Sequence, residues 1–396
     1  MAGAVEHRIG RFADARALVA HYRTPLPATT AVPDRLAGLD ILRLVAALAV
    51  VAFHFGYAGP MRGGMTTSFP ELAGLAKYGF LGVDLFFLIS GYVITASAFG
   101  RSWHAFAISR LLRLYPAHVV SMTATAIVLA ILGGAGTPVT IQQWLANLTM
   151  VAPALGQPFM DGAYWSIVIE IVFYGGVGVL VAAGLFERRL LAIIAVWLAV
   201  ACLNEVLIHS RVIRLGLCTE YAGLFASGIL IQRIRAGERN LWAWLLLGAA
   251  FGLGLMHAFE NIRTIARLYG DTLGLARLWA VHVGIYAVFI GGLWASRFMP
   301  ASRTVLTIGG LTYPLYLVHQ QAGYSLIDAL APMAGRWMAL IAVIALALAF
   351  SFAVLRWVEP AGRQLMRAVI ASIAHIGSVR LFSTRRMQMQ SARASR

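Results

Sequence analysis

The stretch Leu39-Asp-Ile-Leu-Arg43-Leu-Val-Ala-Ala-Leu48-Ala-Val-Val-Ala-Phe-His54-Phe-Gly-Tyr-Ala-Gly59 decides how this chain is read. It is long enough to cross a bilayer as a helix, yet it carries Arg43 and His54. Ionisable groups are costly in hydrocarbon, so each is by default a functional residue whose partner is to be found. At roughly 100° per residue the two side chains return to nearly the same helix face, about 16 Å apart along the axis. One face of a single span therefore carries both polar groups.

Comparable apolar runs recur along the whole sequence. Apolar residues make up 60% of it and charged residues 12%, with a mean hydropathy of +0.77. Spans are expected at approximately 39 to 59, 78 to 99, 113 to 133, 164 to 185, 190 to 208, 215 to 232, 241 to 259, 277 to 296, 304 to 327 and 336 to 358. The expected fold class is an all-α polytopic membrane protein with about ten transmembrane helices. The fifth and sixth spans are interrupted by Asn204, Glu205, Glu220 and Tyr221, a pattern that a buried helical pair would share.

Positive charge in short loops is retained on the cytoplasmic side. Of 32 Lys and Arg, 22 fall in the terminal tails and the even-numbered loops and eight in the odd-numbered loops, while Arg43 and Arg356 lie in spans. Both termini are thus expected in the cytoplasm, with the protein multi-pass in the inner membrane. Residues 1–38 read as a cytoplasmic extension, 39–360 as the membrane domain and 361–396 as a basic cytoplasmic tail, partly amphipathic. No cleavable secretory signal is visible, since the first apolar run is too long for one. The net charge of +16 is dispersed around span ends rather than gathered on one soluble face, which disfavours nucleic acid as a partner and favours lipid headgroups. Cys202 and Cys218 lack companions at metal-ligand spacing and read as apolar filler, and no metal is expected.

Four further groups of residues interrupt the apolar pattern. Asp84 stands near the outer end of the second span in Gly-Val-Asp84-Leu-Phe-Phe-Leu-Ile-Ser-Gly91, where it either shapes a polar cavity or forms a structural pair; Ser90 and Gly91 permit close helix packing. Arg110 and Arg113 share a helix face at the cytoplasmic entrance of the third span, with Pro116 marking a kink or a new start. Guanidinium forks suit phosphate oxygens, although positive-inside anchoring gives the same spacing.

The third group, Ser166, Glu170 and Tyr174, follows at i, i+4 intervals and forms a polar stripe on the fourth span. Glu170 is an acid, a base, an orienting partner or simple helix glue. The fourth is Tyr316 and His319, which lie on one face of the ninth span, either in a site or at the interface. The sequence contains no phosphate loop preceding a helix, no paired-histidine zinc helix and no nucleophile elbow.

Together these segments resemble the acyltransferase 3 family of bacterial membrane-bound O-acyltransferases. The resemblance rests on Leu39-Asp-Ile-Leu-Arg43 with His54, on Asp84-Leu-Phe-Phe-Leu-Ile-Ser-Gly91, and on Phe106, Arg110, Arg113 and Pro116. It continues through Trp165-Ser-Ile-Val-Ile-Glu170, Tyr313-Pro-Leu-Tyr316-Leu-Val-His319 and Glu359-Pro360. It implies transfer of an acyl group, commonly acetyl from acetyl-CoA, to a hydroxyl of a glycan, lipid-linked sugar or small metabolite. Some relatives append a periplasmic hydrolase-like domain; here transfer is expected to finish in the membrane domain or with a separate partner.

The resemblance assigns Arg110 and Arg113 to the CoA phosphates, and Arg43 to steering CoA or to developing negative charge. His54 becomes general base with Glu170 orienting it, an acyl-histidine relay being an alternative. Asp84, Tyr316 and His319 shape the acceptor side. A transporter or flippase of an envelope precursor is the competing reading, because a substrate pathway also needs intramembrane polar groups.

Overall fold

The computed structural model describes residues 36–133, 139–271, 274–300 and 302–373. Among them every regular element is helical. Leu36–Arg356 form one compact unit, to which the described residues 357–373 do not belong. Residues 357–373 carry an i, i+4 ion pair between Arg363 and Glu359 at 3.4 Å. The expected N-terminal extension up to residue 35, and the tail beyond residue 373, lie outside the described residues.

The helices of the larger unit that matter here are α1 (Ala37–Phe53), α2 (Pro70–Ala76), α3 (Gly82–Ala98), α4 (Trp103–Leu132), α5 (Ile141–Asn147), α6 (Tyr164–Ala182) and α7 (Leu190–Leu203). They continue with α8 (Ala222–Arg235), α9 (Leu241–Tyr269), α10 (Leu275–Ala295), α11 (Arg303–Val318), α12 (Gln320–Ala334) and α13 (Arg336–Ala353). Asn240 and Ser302 start α9 and α11 by accepting hydrogen bonds from the N–H groups of Trp242 and Val305, supplying acceptors to otherwise unpaired first-turn donors. Helix α1 sits centrally, packed on α3, α10 and α11. It passes directly into a π-helical turn, His54–Ala58. A π turn inserts an extra residue per turn and re-aims side chains, and such turns are frequent at functional sites.

Helix α3 is buried along nearly its whole length, because α8 lies against it backbone to backbone. A Cβ on Gly91 would come within 2.2 Å of the Phe225 carbonyl oxygen, and one on Gly228 within 2.2 Å of that of Leu88. Only glycine permits this approach, which lets two membrane helices gain dispersion contact without a hydrophobic driving force.

Among the described residues, eight helices are long and apolar enough to cross a membrane. The protein is a multi-pass membrane protein, but two of the ten expected spans are not single long helices. Helix α8 has only 14 residues after a 3-10 turn at Thr219–Tyr221. The run expected at 304–327 is divided at His319 into α11 and α12. Pro116, by contrast, neither ends nor starts a helix: α4 runs through it.

Candidate active site

Arg43, Arg110 and Arg113 come together although they lie on two helices. With Ser90 of α3, Ser166, Glu170 and Tyr174 of α6, and Thr312, Tyr313 and Tyr316 of α11, they line a cavity of about 100 Å³. Asp40, which is buried, holds Arg43 in an ion pair at 2.9 Å. Gly309 leaves room for that carboxylate, since a Cβ there would lie 2.5 Å from Asp40 Cγ. The Glu170 carboxylate accepts hydrogen bonds from Ser90 Oγ at 3.1 Å and from the Tyr174 hydroxyl. It also acts electrostatically on Arg110. Arg110 and Arg43 are partly buried and Arg113 is exposed, so the cationic lining runs from the interior to a mouth. Three guanidinium groups against one or two carboxylates leave an excess of positive charge facing the space.

His54 lies elsewhere. It is 11 residues beyond Arg43, roughly 16 Å further along the axis. Its ring centroid is 5.1 Å from that of His319, and its Nδ1 is 3.1 Å from the Tyr324 hydroxyl. The sequence-based expectation that Glu170 orients His54 is not met by these contacts: Glu170 belongs to the arginine cavity, and the ring beside His54 is that of His319.

The break in helix at His319 explains how that ring is placed. In an unbroken α-helix the Gln321 N–H would donate to the Leu317 carbonyl. Here the Gln321 N–H donates to Asp161 Oδ2 at 2.9 Å, and the Leu317 carbonyl accepts from the Tyr164 hydroxyl at 3.0 Å. The Tyr316 carbonyl accepts from His319 Nδ1 at 2.8 Å. Three side chains thus replace the helical ladder over one turn. A carbonyl oxygen can only accept, so Nδ1 carries the proton and Nε2 of neutral His319 holds the lone pair. That Nε2 is buried and has no hydrogen-bond partner among the described residues.

Tyr164 and Asp161 were not singled out from the sequence. The only local signal for Asp161 is its place just before a span, where Ala163 N–H also donates to it at 2.9 Å. Burial pushes its carboxyl up to about 7, against the opposite pull of the backbone N–H groups of Gln321, Ala163 and Gln320.

Tyr316 joins the two places. Its hydroxyl lies 2.7 Å from Ser166 Oγ and faces the arginine cavity, while its carbonyl holds His319 and its ring centroid is 5.5 Å from the His319 ring. Asp84 belongs to neither. It is buried with Oδ1 3.9 Å from His257 Nε2, and His257 Nδ1 is in turn 3.9 Å from Glu220. No group of three His, Cys, Asp or Glu among the described residues is arranged to hold a metal ion. Chemically, the arrangement can hold an anionic ligand at three guanidinium groups and present an imidazole lone pair deeper in the same unit.

The family model described as "Acyltransferase domain" matches residues 36–356, and the chain belongs to that acyltransferase 3 family. A Bacillus subtilis (strain 168) protein named "Putative peptidoglycan O-acetyltransferase YrhL" is 27% identical over 156 residues, which are 35% of this chain and 22% of the relative. The match therefore spans about a fifth of that protein's length. No solved structure matches.

Proposed function

We propose that this member of the acyltransferase 3 family is a membrane O-acyltransferase that takes an acyl group from acyl-CoA and places it on a hydroxyl of an envelope glycan or related acceptor. The donor phosphates bind at the cationic mouth, where Arg113 is exposed and Arg110 and Arg43 follow inward. The cavity admits the thioester end of the donor rather than its nucleotide, which stays at the mouth. Charge asymmetry in the loops supports a mouth on the cytoplasmic side, where CoA thioesters are available.

In this reading the acceptor oxygen attacks the thioester carbonyl as His54 removes the hydroxyl proton, the C–S bond breaks, and the imidazolium returns the proton to the CoA thiolate. The Tyr324 hydroxyl lies within hydrogen-bond distance of His54 Nδ1, and in the tautomer in which it accepts from Nδ1–H the lone pair of Nε2 is left as base. His319 sits beside it as a second neutral imidazole, and Glu170 positions Arg110 rather than His54. The observation that carries the reading is Tyr316, whose two ends contact the arginine cavity and the imidazole pair.

The acyltransferase family model supports the reaction class, and the name of the Bacillus subtilis relative makes a peptidoglycan-type glycan a reasonable first acceptor. Acetyl is the first donor to try. The test is incubation of membranes containing the protein with acetyl-CoA labelled in the acyl group, followed by fractionation into glycan, lipid and small molecules. Label in a fraction that stays unlabelled without the protein supports transfer. Transport of an envelope precursor with no label incorporated would refute it.

A further inference from the structure

A second cavity, of about 150 Å³, has His319 in its wall and none of the three arginines. Ala124 and Val128 of α4, Val343, Ala347 and Phe350 of α13, and His319 line it. The imidazole is the only polar side chain in its wall, and its Nε2 is unpartnered. One imidazole in an otherwise apolar wall suits a ligand with a polar head and a hydrocarbon tail. An acyl group has that form. Aliphatic cavities of about this volume stay dry and take a hydrocarbon of roughly six carbons. Helices α4 and α13 both qualify as spans and Leu346 of the wall is 53% exposed, an apolar opening that suits lipid hydrocarbon.

We propose that this slot binds the alkyl chain of the donor acyl group while its carbonyl lies at the His54–His319 pair, so that the protein prefers acyl groups longer than acetyl. The inference rests on the acyl-transfer reading and adds the class of acyl group. Each methylene moved from water into the slot strengthens binding by about fourfold. Because the mouth is not sealed, a chain longer than the slot runs on between α4 and α13, and chain-length preference levels off instead of collapsing.

The experiment compares acetyl-, butyryl-, hexanoyl- and octanoyl-CoA as donors to a crude envelope fraction, using purified full-length protein. In parallel, thermal stabilisation by the corresponding non-transferable thioethers is measured. With four methylenes added at about fourfold each, the expected kcat/KM rises by roughly a hundredfold or more from acetyl to hexanoyl and changes little at octanoyl. Ala347→Leu, and independently Ala124→Leu from the opposite wall, should lower the hexanoyl-to-acetyl ratio by about tenfold or more. They should also erase the chain-length dependence of the thermal shift.

Transfer that is indifferent to chain length, or variants that lower every donor alike, would overturn the slot and leave the acyl-transfer reading standing. Sensitivity to the lipid tail of the acceptor in place of the donor chain would overturn it as well. No transfer from any donor, together with a chain-length-dependent thermal shift lost in both variants, would keep the slot and remove the transferase reading. No transfer and no such shift would end both.

Discussion

His319 donates from Nδ1 to the carbonyl oxygen of Tyr316 at 2.8 Å, and this hydrogen bond leaves the lone pair of the neutral imidazole on Nε2. The carbonyl's ordinary helical donor, the Gln320 N–H, is turned to Asp161, and the next rung of the ladder is opened by Tyr164 and Asp161. The placement of this imidazole is thus held from a different helix, α6, and from the loop before it.

Tyr164→Phe removes one donor and strands the Leu317 carbonyl in a buried setting. That loss should cost about 1–3 kcal/mol of stability. Transfer should fall while the acyl-CoA requirement stays close to normal, because Tyr164 is not part of the arginine cavity. A variant with unaltered stability and activity would show that the helix break does not depend on this hydroxyl.

Asp161 gives the fold a pH dependence of known sign. In the unfolded chain an aspartate titrates near 3.9, whereas here burial holds the carboxyl up to about 7. Between these values the folded protein binds more protons than the unfolded one, so stability falls as pH rises through the window and is level above it. Melting temperature in detergent should decline from about pH 5 to pH 7 in the wild type. Asp161→Asn cannot ionise and should lose that slope, starting from a lower stability because an amide N–H₂ would face backbone donors. A wild-type profile that rises across the same window would contradict the sign.

Glu170→Gln separates the two roles open to this residue. As a member of the arginine cavity it should alter the apparent acyl-CoA requirement, since a charge facing Arg110 is lost. The pH dependence of kcat should be nearly unchanged. A shifted kinetic titration with normal donor binding would return Glu170 to His54.

Arg110→Ala and Arg113→Ala should each weaken donor binding by roughly tenfold to a hundredfold, corresponding to one charge-assisted contact of about 1.5–3 kcal/mol. Unchanged donor affinity in both would make them topology anchors.

Much of this was legible before any coordinates. Arg43 and His54 announce themselves because charge in an apolar run has few bland explanations. Ser90-Gly91 reads as a close-packing site, and Gly91 does lie against the backbone of α8. The sequence-based pairing of Glu170 with His54 failed for a specific reason. Helical periodicity gives the face of a residue, but not which of several neighbouring helices meets that face or at what depth. The divided ninth span was illegible for a related reason: its break is made by Asp161 and Tyr164, some 150 to 160 positions away. Nothing in the local pattern of residues 311 to 321 reveals that contact, since the φ and ψ of His319 remain helical. Helix α8 misleads hydropathy in the opposite way, because burial inside the protein selects the same small and apolar residues as burial in lipid.

The central claim is that the arginine cavity and the imidazole pair are one site, with donor binding at the first and proton transfer at the second. The most direct measurement is acyl transfer and CoA binding side by side in His54→Gln and His319→Gln at matched protein levels. The account predicts that His54→Gln loses at least about a hundredfold in turnover, as expected for a general base, while binding CoA within a few fold of the wild type. His319→Gln should lose turnover with CoA binding likewise retained. Near-normal transfer by His54→Gln, or loss of CoA binding in step with activity in either variant, would contradict it.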